Sequence, residues 1–183
     1  MRRTHASIAA TVAIVTALAA TRSATPSSAA AQASDPGIAA IKANWEGVIR
    51  NITMAAEEMP EADYAYKPVA TVRSFGELIG HIAGAQQVIC AAALGEPQPA
   101  EDAVERSAKT RAALVKALKE STAYCARAYA IPASAGGAAV TLFGGPNTKV
   151  GALALNAVHD GEHYGNIITY MRLKGMVPPS SRR

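Results

Sequence analysis

Apolar residues recur at helical spacing in four segments, and no alternating apolar and polar run is long enough to predict a sheet. In the first segment Asp35 is a candidate N-cap, and Pro36 occupies the first helical position. Met59-Pro60 ends the segment. The apolar positions at helical spacing between these ends are Ile38, Ile41, Trp45, Val48, Ile49 and Ile52. The pattern predicts a first helix with one buried face.

The second helix is predicted from a capping box, in which Ser74 precedes Glu77 by three residues. The helix runs from about Phe75 to Leu94, and Gly95-Glu96-Pro97 ends it. Its inward positions are Leu78, Ile79, Ile82, Ala85 and Ile89.

A long third helix is predicted from about Glu101 to Tyr129. Its apolar stripe consists of Leu114, Leu118, Ser121, Cys125 and Ala128. Residues 131–148 contain two Gly-Gly pairs and two prolines, which predict a long loop. This glycine-rich stretch lacks the Lys-Ser/Thr ending of a phosphate-binding loop, so we assign it no nucleotide role.

The fourth helix is predicted from about Lys149 to Lys174, with Gly175 as its C-cap. Four helices, each with one apolar stripe, predict an all-α protein with an up-down four-helix bundle. We place this single domain at residues 36–178.

The chain opens with a short basic start, an apolar run over residues 6–20 and a small polar stretch with Ala-x-Ala steps. This order is typical of a secretory signal peptide, here over residues 1–33. Cleavage after Ala31 or after Ala33 fits equally well. An uncleaved anchor would need about 20 apolar residues, more than the run supplies. We therefore expect an exported protein, periplasmic or extracellular, without stable membrane association after cleavage.

Cleavage would remove Arg2, Arg3 and Arg22 but no acidic residue, so the formal charge of +4 falls by three to about +1. A net charge this close to zero excludes a strongly basic nucleic-acid-binding domain. Bundles of this size often pair through a helix face, yet no outer stripe is apolar enough to predict a homodimer. That question stays open.

The two cysteines, Cys90 and Cys125, would enter an oxidising compartment together. A disulfide is then the default, joining the second helix to the third, and it would contribute about 3–4 kcal/mol in the chain-entropy model. Two separate buried thiols are the alternative, because sequence does not supply the geometry.

The segment N-A-V-H-D-G-E-H carries the main candidate chemistry. His159 and His163 are four residues apart, so both imidazoles can point at one ion from a single helix face. His81, in the second helix, can lean into the seam between helices as a third ligand. A three-histidine site with open positions is typical of catalytic zinc sites. Cys90 is excluded as a fourth ligand, because nine residues after His81 it faces the opposite way.

Two alternatives to a shared metal site exist for the histidine pair. H-D-G-E-H is similar to the zinc-protease pattern H-E-x-x-H, but Asp160 is shorter than glutamate and no further ligand follows. Alternatively, His159 and His163 form a polar patch with Asp160 and Glu162, and His81 is a hydrogen-bonded core histidine.

Two segments carry a resemblance to a known family: Y-A-Y-K-P-V-A-T-V-R-S-F-G-E-L-I-G-H-I at residues 64–82 and V-H-D-G-E-H-Y-G-N-I-I-T-Y-M-R-L-K-G-M-V-P at residues 158–178. From about Ile38 to Pro178 the chain resembles DinB-like proteins, the YfiT-type metalloenzymes. Some relatives are thiol-dependent transferases or isomerases and others have been called hydrolases, while many have no assigned reaction.

The resemblance implies a four-helix bundle with a divalent metal held by one histidine of the second helix and an H-x-x-x-H pair of the fourth. His81, His159 and His163 match those three positions. Neutral imidazoles suit zinc, nickel, cobalt, copper or iron(II), and we take zinc and nickel as the first candidates.

The leading hypothesis is a metal-dependent hydrolase or transferase that acts on a small molecule. Asp160, Glu162 or Asn156 could orient the ligands or shuttle protons, although neither acid lies on the face of the histidines. A non-catalytic metal- or ligand-binding bundle is the alternative. In a third hypothesis the histidines are purely structural.

Overall fold

The computed structural model describes residues 35–182, which are mostly helical. Within this range the helices and strands, in chain order, are α1 (Pro36–Glu58), α2 (Phe75–Leu94), α3 (Ala103–Ser107), α4 (Arg111–Ala128), β1 (Ala139–Leu142), β2 (Gly145–Thr148) and α5 (Lys149–Leu173). Helices α1, α2, α4 and α5 form a four-helix bundle, which confirms the predicted all-α class. The predicted signal peptide lies outside the described residues and stays a prediction.

The predicted starts of α1, α2 and α5 are confirmed, and each of these helices begins with a local cap. Asp35 Oδ1 accepts hydrogen bonds from the backbone N–H groups of Gly37, at 2.7 Å, and Ile38, at 3.2 Å. At the start of α2, Ser74 Oγ accepts from the N–H of Glu77, and the Glu77 carboxylate accepts from the N–H of Ser74. These bonds satisfy backbone donors that the helices themselves leave unpaired.

The bundle is a ring in which α1 packs against α5, α5 against α2, and α2 against α4, while α4 touches α1 less extensively. Arg111, at the start of α4, donates to the carbonyl of Glu57 at the end of α1, so these two helices run in opposite directions. Cys90 and Cys125, near the ends of α2 and α4, are bonded to each other, so that pair runs in the same direction. In chain order the helices run up, down, down and up, so the predicted up-down alternation fails at α4, because residues 95–110 first return the chain along α2.

The prediction of one long third helix is wrong. The segment is divided into α3 and α4, and the backbone is extended at Ala108. Thr110 then caps α4 by accepting a hydrogen bond from the N–H of Ala113 at 3.2 Å. The break has a topological reason, since residues 95–110 must return the chain along α2 before α4 can begin. The predicted apolar stripe of α4 is buried throughout: Leu114, Leu118, Ser121, Cys125 and Ala128.

The predicted long loop after α4 contains a short antiparallel hairpin of β1 and β2. Phe143 and Gly144 form its turn, with φ of 49° and 75°. Four-residue strands are too short for alternation to show in the sequence, which is why the hairpin was missed.

Helix α2 is the core of the bundle and is buried on nearly every side. In the described part of the chain it is the one helix long and apolar enough to cross a membrane, but 83% of that window is buried within the fold. Such all-round burial characterises a core helix.

One side of α2 carries glycines that allow close contact with the backbone of residues 95–110, the segment that returns along α2. A Cβ on Gly84 would lie 1.9 Å from the carbonyl oxygen of Glu101, and a Cβ on Gly80 would lie 2.9 Å from Cα of Glu105. No side chain fits at such a distance, so glycine is required for this close approach. The approach brings both glutamates to the level of His81 on α2.

The cysteines form a buried disulfide between α2 and α4, with the Cα atoms of Cys90 and Cys125 5.3 Å apart. The predicted bond is therefore present, and it joins the two parallel helices at the end of the bundle opposite the start of α2.

Candidate metal centre

Three histidines from two neighbouring helices meet at one point. His81 lies in the first half of α2 and is 8% exposed, while His159 and His163 lie on α5 and are partly buried. The Nε2 atoms of His81 and His159 are 3.2 Å apart, and those of His159 and His163 are 3.0 Å apart. The structure thus brings together the three residues that the sequence singled out.

Hydrogen bonding alone does not account for this arrangement. Nε2 of His159 is close to both other nitrogens, yet a ring nitrogen carries either one hydrogen or one lone pair and makes one such bond. The ring planes are inclined by 56° to 84°, so the rings converge from different directions.

An ion fits the donor set better than a hydrogen-bond chain. All three candidate ligand atoms lie within 4.8 Å of one another. Zinc–nitrogen bonds of about 2.0–2.1 Å in tetrahedral geometry place ligand nitrogens roughly 3.3 Å apart, close to the observed separations. The group could therefore hold a divalent ion.

The ring nitrogens that face away from the meeting point lie near acidic groups. His159 Nδ1 and Asp160 Oδ1 are both buried without a hydrogen-bond partner among the described residues, and they lie 3.7 Å apart. His81 Nδ1 lies 3.7 Å from Glu101 Oε1 and 4.0 Å from Glu105 Oε2. Metal-bound histidines commonly direct the other ring N–H to such acceptors, so this surrounding also fits a metal.

Asn166 lies beside the third ring. Its Nδ2 is 3.5 Å from His163 Nδ1. The nitrogen and oxygen of an amide side chain are assigned from their neighbours, and exchanging them would present an acceptor oxygen to the His163 N–H.

Asp160 lies off the histidine face, as the sequence predicted, but it is nevertheless buried beside His159. Helix α5 packs on both α1 and α2, so two of its faces are internal. Asp160 is completely buried on the face toward α1 while remaining beside the His159 ring. Of the other candidates, Glu162 is exposed, and Asn156 donates a hydrogen bond to Tyr129 Oη at 3.2 Å.

Glu101 and Glu105 were not identified as site residues from the sequence, where they fall at the start of the predicted third helix. The one available signal was the G-x-x-x-G-x-x-x-G spacing of Gly76, Gly80 and Gly84, which marks a close backbone approach on one side of α2.

The pKa values favour neutral ligands. Burial, reinforced by the positive charge of Arg73, lowers the pKa of His81 to about 3 and contributes to lowering the pKa of His163 to about 4. Burial also raises the pKa of Asp160. At neutral pH His81 and His163 therefore carry free lone pairs, which metal binding requires.

A cleft of about 750 Å³ borders the site at His163. Its walls come from the segment before α2, the start of α2, and the second half of α5. The polar side chains that line it include Lys67, Arg73, Glu77, Glu105, Asn166 and Tyr170. The candidate metal position is thus next to a space large enough for a small molecule.

A four-helix bundle with three histidines converging beside a cleft defines a class of candidate metal-binding helical proteins. The profile of the DinB superfamily matches residues 44–167, which is more than half of the chain. The chain belongs to the DinB superfamily, as its resemblance predicted.

Solved structures agree on the fold. A DinB-like protein from Bacillus cereus ATCC 10987 superimposes with a TM-score of 0.66 over 76% of this chain and 93% of that chain, at 13% sequence identity. At this identity the likeness establishes the fold alone. Comparison with curated proteins gave no match to this chain.

Proposed function

We propose that this protein is an exported metal-dependent enzyme, a hydrolase or transferase that acts on a small molecule. His81, His159 and His163 hold the divalent ion, with zinc or nickel as the first candidates. When bound, such an ion supplies Lewis acidity toward substrate or water.

The convergence of three Nε2 atoms at the edge of a cleft carries the proposal. A purely structural cluster would need hydrogen-bond partners that the nitrogens do not offer one another. A closed structural metal site would typically contain a fourth protein ligand. Among residues 35–182, the group of metal-ligating side chains contains these three histidines, which leaves positions for substrate and water.

The surrounding side chains have supporting roles in this proposal. Glu101 and Glu105 orient His81 through Nδ1, and Asp160 does the same for His159. His81 held in this way needs little reorganisation on metal binding, because burial lowers its pKa and already favours the neutral ring.

A non-catalytic metal-binding module is the second candidate, and one observation favours it. The carboxylates in the cleft wall are already paired: Glu77 lies 2.8 Å from Lys67 Nζ, and Glu105 lies 3.2 Å from Arg73 Nε. Because both carboxylates are engaged in ion pairs, neither is free to act as a general base. The two candidates differ in whether substrate reaches the ion.

The disulfide supports the proposed location. A buried Cys90–Cys125 bond is stable in an oxidising compartment, consistent with a periplasmic or extracellular protein. Cleavage of the predicted signal peptide would release the bundle from the membrane.

Elemental analysis of the exported protein, purified without a histidine tag, tests the metal site. We expect close to one equivalent of metal in the wild type and little in His81→Ala or His159→Ala. Glu162→Gln is the matched control, because this exposed acid lies beside His163 and is expected to leave the metal content unchanged. Wild-type protein without metal after incubation with zinc and with nickel would refute the proposal.

A further inference from the structure

We infer that the cleft beside the three histidines binds a small organic anion, and that Arg73 recognises its carboxylate or phosphate group. The inference rests on the proposed function and names the substrate class of the same site.

Arg73 is held in place at both ends. Its carbonyl oxygen accepts a hydrogen bond from Tyr170 Oη at 2.8 Å, which ties the backbone to α5. Its Nε donates to the two carboxylate oxygens of Glu105 at 3.2 Å and 3.3 Å, which ties the side chain to α3. A side chain positioned in this way loses little further freedom when it binds a ligand.

The outer end of the guanidinium remains open to the cleft. Arg73 is one of the residues lining it, and its side chain is 44% exposed. Among residues 35–182 its bonds are made through Nε, and its two terminal nitrogens have no hydrogen-bond partner. Two parallel N–H donors of this kind match the oxygens of a carboxylate or phosphate group.

Arg73 is also close enough to the histidines for both groups to engage one ligand. Arg73 and His163 line the same cleft, and Glu105 lies between Arg73 and His81, 3.2 Å from Arg73 Nε and 4.0 Å from His81 Nδ1. One small molecule can therefore place its anionic group on Arg73 and another donor atom at the histidines.

The charge balance of the cleft favours an anion. Lys67 pairs with Glu77, and Arg73 pairs with Glu105, so the four charges in the wall cancel. With neutral histidines, a divalent ion would leave the site positive. Glu77 is engaged further, since it accepts the Ser74 N–H at 2.7 Å and its pKa is lowered to about 2, first by Lys67.

The apolar residues in the cleft wall favour an organic anion. Pro68, Val72 and Leu78 line the same cleft, and Val72 is 37% exposed. Contact with these side chains would remove apolar surface of the ligand from water. A small acid with an apolar body fits better than an inorganic ion.

Calorimetric titration of zinc-loaded protein tests the inference, with benzoate and phenyl phosphate as probes and benzamide as the uncharged comparison. We expect the wild type to bind at least one anion about tenfold more tightly than benzamide. The preferred anion distinguishes a carboxylate from a phosphate substrate.

Arg73→Met should weaken binding of the preferred anion by about tenfold. Arg73→Lys should recover part of the lost affinity, since lysine keeps the positive charge but lacks the two parallel N–H donors of the guanidinium. Arg106→Met is the matched control. This arginine lies in α3 next to Glu105, but it is 68% exposed and paired with Asp102 at 3.1 Å, so anion binding should stay unchanged. Thermal melting of each variant verifies that it is folded.

Zinc content measured beforehand separates the possible failures. A wild type that holds zinc but binds benzamide and both anions equally, or an Arg73→Met variant that binds them as well as the wild type, overturns this inference alone. A wild type that takes up no zinc overturns the proposed function as well.

Discussion

Trp45 Nε1 donates a hydrogen bond to Asp160 Oδ2 at 3.1 Å, which joins α1 to α5 across 115 residues of sequence. The other oxygen of the same carboxylate faces His159 Nδ1 at 3.7 Å. Trp45 is itself stacked on Tyr129, with ring centroids 4.4 Å apart. Helix α1 supplies no candidate metal ligand, yet through Trp45 it positions the Asp160 carboxylate that lies beside His159.

Asp160→Asn should reduce zinc affinity by about 10–100-fold, the usual effect of losing an acid that orients a metal-bound histidine. The amide is nearly the same size, so the fold should be retained. Competition with a chromophoric chelator measures the affinity. Glu162→Gln serves as the control, and equal affinities for the two variants would mean that Asp160 has no orienting role.

Gly84→Ala should destabilise the protein by about 1–3 kcal/mol, the usual cost of overpacking. The added Cβ would lie 1.9 Å from the carbonyl oxygen of Glu101, so the returning segment must shift. Urea unfolding measures the loss.

Gly47→Ala is the matched control for this change. Gly47 also lies within a helix, and a Cβ there meets nothing within 4 Å. Alanine should therefore stabilise the fold by about 0.5–1 kcal/mol. A Gly84→Ala variant as stable as Gly47→Ala would contradict the proposed close approach along α2.

Reduction of the disulfide should lower the free energy of unfolding by about 3–4 kcal/mol, since the bond closes a loop between Cys90 and Cys125 with a sequence separation of 35. Urea denaturation with and without a thiol reductant measures the difference. A Cys90→Ala/Cys125→Ala double variant should not respond to reductant. Equal unfolding curves for oxidised and reduced wild type would show that the bond contributes nothing.

The metal-free protein should lose stability as the pH falls below about 6.5, the ordinary pKa of histidine. The pKa of His81 is lowered to about 3 and that of His163 to about 4, so between these values and 6.5 the unfolded chain binds more protons than the folded one. Stability therefore increases with pH across this window. Asp160 acts in the opposite direction, because its pKa is raised by burial.

Thermal melting of metal-free protein from pH 4 to pH 7.5 measures this dependence. A His81→Ala/His163→Ala variant should show a shallower pH dependence, because it lacks the two groups that gain protons on unfolding. A double variant with the same slope as the wild type would show that other groups dominate this pH range.

The candidate ligands were predictable because histidine spacing on a helix is a local property. His159 and His163 are one turn apart whatever surrounds them, and His81 completed the set from its place in the second helix, in agreement with the family resemblance. Their neighbours were not predictable in the same way. Asp160 was a candidate but was placed off the histidine face, because only one internal face was assumed for α5, and Glu101 gave no local signal.

The sequence by itself determined where α1, α2 and α5 begin, most of the buried positions of α1, the buried stripe of α4, and which histidines share a face, since caps and periodicity act within a few residues. Tertiary structure alone decided that α3 separates from α4 and that the glycines of α2 admit the returning backbone. It also decided that Arg73, Glu105 and Asp160 surround the histidines. These relationships join segments far apart in the chain, so they depend on how the helices pack.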